Sequence, residues 1–217
     1  MSFEYKIKVT KEGAKTIYNF SDDEVIKLMF IGKQRAGKDT SFNIFKKYYS
    51  EYVKQLRLAD GIYFIAEEIF DMKKKDRNLL IKIGQQMRAI DEDVFIKYTI
   101  KRYKYLINNF KISNTENLLD LKLFKPTIII TDVRLKREYD LLIKEGFKPI
   151  YICATQEVRS KRPGYSPEAE KDKTEQELNL EDFDYYFVIY NNSTLEDLEN
   201  NVLNLIKKLD KEYLNIN

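Results

Sequence analysis

The feature that most constrains this chain is the run Ile31-Gly32-Lys33-Gln34-Arg35-Ala36-Gly37-Lys38-Asp39-Thr40. It follows an apolar stretch, Val25 to Ile31, that reads as a buried strand. It precedes Ser41 to Tyr49, where Phe42, Ile44, Phe45, Tyr48 and Tyr49 recur at helical spacing. Strand, glycine loop and helix in that order are the context a phosphate-binding loop needs. Gly32 and Gly37 permit backbone dihedrals that a side chain forbids. The amides of Lys33, Arg35 and Ala36 and the helix N-terminus would then face an anion, favoured by the helix dipole. Lys38 extends alongside as a charge for β- and γ-phosphates. The residue after the lysine is Asp39 rather than Ser or Thr, and Thr40 comes one place later. Mg²⁺ takes oxygen ligands and keeps several waters, so Asp39 and Thr40 are both candidate metal ligands and the choice between them stays open.

Length and composition narrow the remaining classes. A chain of 217 residues suits one domain, or one domain with a small insert. With 43% hydrophobic and 34% charged residues it has enough apolar material for a core beneath a well-solvated surface. The net charge of +3 gives no reason to expect a nucleic-acid or membrane partner. No apolar run is long enough to span a bilayer, and Met1 to Tyr5 lacks a signal-peptide pattern. The single cysteine, Cys153, forms no internal disulfide and lies in the apolar run Ile150 to Cys153, as a buried thiol does. A cytoplasmic location is expected. The absence of histidine removes histidine-based triads and most zinc sites.

In chain order, residues 1–24 read as a β-hairpin added to the sheet or to a partner. Phe3, Tyr5, Ile7 and Val9 alternate with polar residues, Lys11-Glu12-Gly13 offers a turn, and Ile17, Tyr18 and Phe20 follow. This surplus hairpin is a candidate homodimer contact. Tyr52 to Gly61 reads as a second strand ending in a loop, which puts Arg57, Asp60 and Gly61 near a carboxyl end where open α/β sheets bind ligands. A helical region follows over about 62–125, with helices at Ile62 to Phe70, at Leu79 to Ile90 carrying Gln85 and Arg88, and from an Asp91 cap to about Phe110. Ile112 to Lys125 reads as a loop. Thr127 to Thr131 is a β-branched strand closed by Asp132, the position of a carboxylate beside Mg²⁺. A helix from Leu135 to Glu145 and a strand from Lys148 to Ala154 come next. Arg159 and Arg162 share a helical spacing, and the charge-dense run Glu168 to Glu177 has few apolar anchors, so residues 155–178 read as a mobile lid. A strand over Tyr185 to Tyr190 and an amphipathic helix over Leu195 to Leu209 close the chain. The alternation of strands and helices predicts an α/β fold, a doubly wound parallel sheet flanked by helices. A GTPase switch would carry a glycine three residues after Asp132, and an AAA-type motor a glutamate beside it; the sequence there is Val133-Arg134-Leu135.

With these motifs placed, residues 25–209 resemble the phage-type deoxynucleoside monophosphate kinases and, more distantly, the animal-type phosphomevalonate kinases, both of the P-loop kinase fold. The Gly-Lys-x-x-x-Gly-Lys-Asp start matches Gly32 to Asp39. Arg57-Leu58-Ala59 resembles the end of the second strand, and Gly84 with Arg88 the substrate-side helix. Asp132-Val133-Arg134 with Glu138 resembles the Asp-x-Arg element, Arg159 and Arg162 the lid arginines, and Lys173-Thr174-Glu175 a His-x-(Ser/Thr)-Glu element without its histidine. Asp184 to Asn191 resembles the final strand and its Asn; residues 1–24 have no counterpart.

The resemblance implies phosphoryl transfer from ATP to a small acceptor that already bears a phosphate, with Mg²⁺ as cofactor. Lys38 and the loop amides would hold the donor phosphates, and Arg35 would reach a nucleotide. Asp39 and Asp132 would organise the metal, and Arg134, Arg159 and Arg162 would neutralise the transferred group. The acceptor would meet Arg57, Asp60, Gln85, Arg88, Arg134 and Glu175, the arginines clamping its phosphate. Alternatives are a phosphomevalonate acceptor or a non-catalytic nucleotide-binding regulator.

Overall fold

The computed structural model describes residues 4–10, 13–49, 52–112, 125–172, 175–177 and 179–213. Phe3, the Lys11-Glu12 turn, most of the loop over 112–125 and Lys173-Thr174 lie outside the described residues. In chain order the strands are β1 (Glu4–Thr10), β2 (Gly13–Asn19), β3 (Ile26–Ile31), β4 (Val53–Leu56), β5 (Phe110–Ile112), β6 (Thr127–Val133), β7 (Lys148–Cys153) and β8 (Phe187–Tyr190). The helices are α1 (Lys38–Tyr49), α2 (Asp60–Phe64), α3 (Arg77–Ile90), α4 (Val94–Ile107), α5 (Lys136–Lys144), α6 (Gln156–Ser160), α7 (Pro167–Glu170) and α8 (Leu195–Tyr213).

Among the described residues the strands form two sheets. The larger is parallel, in the order β4-β6-β3-β7-β8. This is the parallel α/β sheet that the strand–helix alternation predicts. Strand β3 sits at its centre and is buried at every position, because a parallel strand with helices on both faces has no solvent side. Leu28, Met29 and Phe30 are fully buried between Ile129 and Ile130 of β6 and Ile150 of β7. Each such side chain is worth about 1.5–3 kcal/mol of burial. Lys27 is the one charged residue of the strand, and its buried ammonium pairs with Asp22 and lies over the Tyr103 ring. The long helix α8 turns Leu198, Val202, Leu205, Ile206 and Leu209 inward at 3–4-residue spacing and packs on α1 and β8. Because β4 and β6 lie on one side of β3 and β7 and β8 on the other, the strand order reverses at β3. Its carboxyl end is where an open sheet of this kind forms a crevice.

The smaller sheet is antiparallel, β1-β2-β5. The β1–β2 hairpin therefore pairs with β5, through Thr16↔Ile112 to Tyr18↔Phe110, and not with the parallel sheet. Three other expectations shift. The helix after β4 begins at Asp60 and becomes a π-helical turn over Ile65–Ile69. Asp91 does not cap α4: it closes α3, and its carboxylate accepts from the Asp93 amide and pairs with Lys97. The charge run after Ser166 is anchored rather than loose, for reasons given below. No described helix is long and apolar enough to cross a membrane.

Candidate functional site

The loop between β3 and α1 is held in a conformation that its glycines make accessible. Gly37 has φ +108°, and a Cβ there would overlap the Asn191 side-chain amide. That amide donates to Ala36 O at 2.7 Å, so the loop is stapled from behind by the residue that follows β8. Arg35 takes φ +58°, a left-handed conformation that costs a non-glycine residue about 1 kcal/mol or more and is characteristic of functional loops. Helix α1 starts with Ser41 N donating to Gly37 O at 2.8 Å, which directs the first free amides of α1 into the cleft. Lys38 folds along the loop, donating to Gly32 O and to Lys33 O at 3.0 Å.

Burial pushes the Lys38 ammonium down to about 8, Arg134 adds to the shift, and Glu175, Asp39 and Asp132 oppose it. A folded value below the ordinary lysine value means that the ammonium is held at a cost below about pH 8. That cost is relieved progressively as pH rises from about 8 to the ordinary lysine value of 10.5. A bound polyanion favours the charged form. Its affinity is therefore expected to fall as pH rises from about 8 towards 10.5, and binding in that range should take up a proton. Titration calorimetry of pyrophosphate in two buffers of different ionisation heat reads that uptake.

Two carboxylates flank the loop, and their surroundings differ. Asp39 is exposed at the start of α1, with Gln55 Nε2 3.4 Å from its Oδ1; Gln55 in turn donates to Thr131 Oγ1 at 2.7 Å. Thr40, also exposed, lines the same cleft. Asp132 is turned sideways: its oxygens accept from Leu58 N (2.7 Å) and Ala59 N (3.0 Å), tying the end of β6 to the loop after β4. Burial raises the Asp132 carboxyl above its usual range, with the two amides opposing. Among the described residues no three acidic, Cys or His side chains gather to hold a metal unaided. The donor set suits Mg²⁺ held by one carboxylate together with phosphate oxygens and water, with Asp39 as the freer ligand.

One cleft of about 1390 Å³ opens from the loop across the carboxyl ends of the strands. Of the residues singled out from sequence, it brings together Arg35, Gly37, Lys38, Asp39, Thr40, Arg57, Gln85, Arg88, Asp132, Arg134, Arg162 and Glu175. Gly32, Lys33 and Ala36 form the loop behind it. Its far wall comes from α2, α3 and the connector between them. Arg57, Lys75, Arg77 and Arg88 supply positive charge there, and Ile62, Tyr63, Leu80 and Ile81 an apolar surface. Arg88 is steadied by lying over the Phe95 ring at 5.0 Å. Arg134 is fixed from below, where its amide and that of Leu135 donate to Glu138 at 3.0 and 3.1 Å.

Besides Gly32, Lys33 and Ala36 of the loop, two of the sequence candidates do not line the cleft. Asp60 lies beneath it, accepting from Arg57 N at 3.2 Å and from Arg102 at 2.7 Å. Arg159 is buried, 2% exposed, and its guanidinium is committed elsewhere. It makes a two-pronged pair with Glu170 (2.6 and 2.7 Å) and donates to Ala154 O and Gln34 O. Helix α6 ends at Ser160, so Arg159 and Arg162 do not share a helical face. Arg162 turns instead to the loop, donating to Arg35 O (2.7 Å) and Asn191 O (2.8 Å).

Gln34 was not anticipated as a site residue. Its side chain exchanges bonds with the Ser166 backbone and reaches Glu170, while its amide donates to Glu175 at 2.5 Å. These contacts fasten Ser166, Glu170 and Glu175 to the loop despite the charge density around them. The only sequence signal for Gln34 was its place between the two loop glycines.

A parallel sheet with a Gly32-x4-Gly37-Lys38 loop at the carboxyl end of its central strand defines the class: a P-loop α/β domain. No family model and no curated protein matches the sequence. Among solved structures, the chain is similar to an APS kinase from Mycobacterium tuberculosis in complex with AMPPNP and APS. The identity is 9%, coverage is 84% of this chain and 98% of that one, and the TM-score is 0.47. It is also similar to a gluconokinase from Sinorhizobium meliloti (9% identity, 86% and 97% coverage, TM-score 0.44). A shikimate kinase from Bacteroides thetaiotaomicron is a third (11% identity, 85% and 98% coverage, TM-score 0.43). At identities this low, the functional reading rests on the site.

Proposed function

We propose that the protein transfers the γ-phosphoryl group of ATP to a deoxynucleoside monophosphate, giving the diphosphate. The observation that carries this reading is the pairing of two anion-binding surfaces in one cleft. The loop with Lys38, and Arg134 beside it, lies on one side, and Arg57 and Arg88 belong to the far wall. Such a transfer needs positioning and charge neutralisation more than a strong base, which agrees with a chain that has no histidine. In this reading the loop amides and Lys38 hold the donor β- and γ-phosphates. Arg134 and Arg162 face the transferred group, while Arg57 and Arg88 grip the acceptor phosphate in the bidentate manner suited to guanidinium. Tyr63, Gln85 and the apolar patch of α3 provide a surface for a base. Mg²⁺, when bound, would neutralise charge on the donor phosphates, with Asp39 as its protein ligand and Thr40 beside it. We place the protein in the cytoplasm, acting on small-molecule nucleotides.

A second reading also has support. Lys75 and Arg77 add two cations to the far wall, and a base-free phosphorylated acceptor such as phosphomevalonate would suit a wall of that charge. ADP release from Mg·ATP with a panel of acceptors separates the two. Stimulation by one or more deoxynucleoside monophosphates is the expected result. Stimulation by phosphomevalonate alone would transfer the assignment, and ATP binding without acceptor-dependent release would favour a regulatory protein.

A further inference from the structure

Glu170 and Glu175 both turn toward the loop, but their partners differ in kind. Glu170 is neutralised by Arg159, which is buried and has no place in the cleft, so that pair is an anchor. Glu175 is also buried, at 4% exposure, and among the described residues its carboxylate accepts from groups that belong to the anion site. One oxygen accepts from the Gln34 amide of the loop at 2.5 Å, and the other from Arg134 at 2.7 Å. Lys38 feels its charge as well. A carboxylate bound by a glycine-loop amide, an arginine and the field of the loop lysine has the surroundings of a phosphoryl oxygen.

We propose that Glu175 is a built-in competitor for the anion site. Its carboxylate occupies the loop amide of Gln34 and the guanidinium of Arg134, and it must leave before a phosphoryl group can take both. The inference rests on the phosphate-loop reading above and adds to it a charge that opposes ligand binding. Two anions cannot share the Gln34 amide and Arg134 without like-charge repulsion in a partly desolvated site. The apparent affinity for a phosphate ligand is then the intrinsic affinity multiplied by the fraction of molecules in which Glu175 is unseated. On release, Arg134 exchanges a carboxylate for the incoming group, so binding of the donor and freeing of a transfer-side arginine become one event.

The test is titration calorimetry of inorganic pyrophosphate with Mg²⁺ against the full chain, its Glu175→Gln and Glu175→Ala variants, and Lys38→Ala. Both Glu175 variants should bind pyrophosphate about fivefold or more tightly than the parent, the range of a typical coupling between sites. Lys38→Ala should bind it least. Equal or weaker binding by the Glu175 variants overturns the proposal and makes Glu175 a support for Arg134 instead. If neither the parent nor any variant binds pyrophosphate, the phosphate-loop reading itself falls and the proposal with it. Should Glu175→Ala not fold, Glu175→Gln decides, since it keeps the size and an acceptor for the Gln34 amide.

Discussion

Lys38→Ala should reduce kcat/KM for phosphoryl transfer by at least ~10²-fold, the loss seen when one preorganised charge or donor is removed from a developing anion. The side chain reaches the loop carbonyls of Gly32 and Lys33, which sets its ammonium within the loop where the proposed donor phosphates would lie. The same change should not cost stability. Burial holds Lys38 down to about 8, so at neutral pH the folded chain carries the ammonium at a penalty, and removing it relieves that penalty. Steady-state kinetics with a coupled ADP assay, run beside thermal unfolding, reads both. Turnover within tenfold of the parent at an unchanged melting temperature would exclude Lys38 from the mechanism.

Arg159→Met should destabilise the protein by about 3 kcal/mol, the usual cost of breaking a buried ion pair from one side. Among the described residues the substitution leaves the Glu170 carboxylate with Gln34 Nε2 as its hydrogen-bond partner and removes donors from Ala154 O and Gln34 O, while methionine keeps most of the volume. Adding Glu170→Gln should recover part of the loss, because the uncompensated charge is then gone; the two effects are coupled and not additive. Urea denaturation of the four proteins of this cycle measures it. If Arg159→Met lost activity at unchanged stability, Arg159 would belong to the chemistry rather than to the anchor.

The sequence made some of this legible for definite physical reasons. Strand β3, the glycine loop and α1 were readable because a continuous apolar run, two glycines and a 3.6-residue period each carry local information. Asp132 was readable as the end of a strand for the same reason. Its orientation was not, because the amides of Leu58 and Ala59 that turn it come from a segment more than seventy residues earlier in the chain. The pairing of β2 with β5 is likewise non-local, and three residues after a helix give no periodic signal. Arg159 and Arg162 looked equivalent because their spacing fits a helix. The helix ends between them, which buries one and turns the other to the loop. The charge run of 168–177 reads as loose because it has few apolar residues, whereas Glu170 and Glu175 are held through Arg159, Gln34 and Arg134, partners distant in the chain.

The central claim is the transfer itself, and it is tested most directly by following the phosphorus. The protein is incubated with Mg²⁺, γ-labelled ATP and each deoxynucleoside monophosphate in turn, and the products are separated. The account predicts label in a deoxynucleoside diphosphate, absent with Lys38→Ala. Label recovered only as inorganic phosphate, or in no acceptor while ATP still binds, would contradict it.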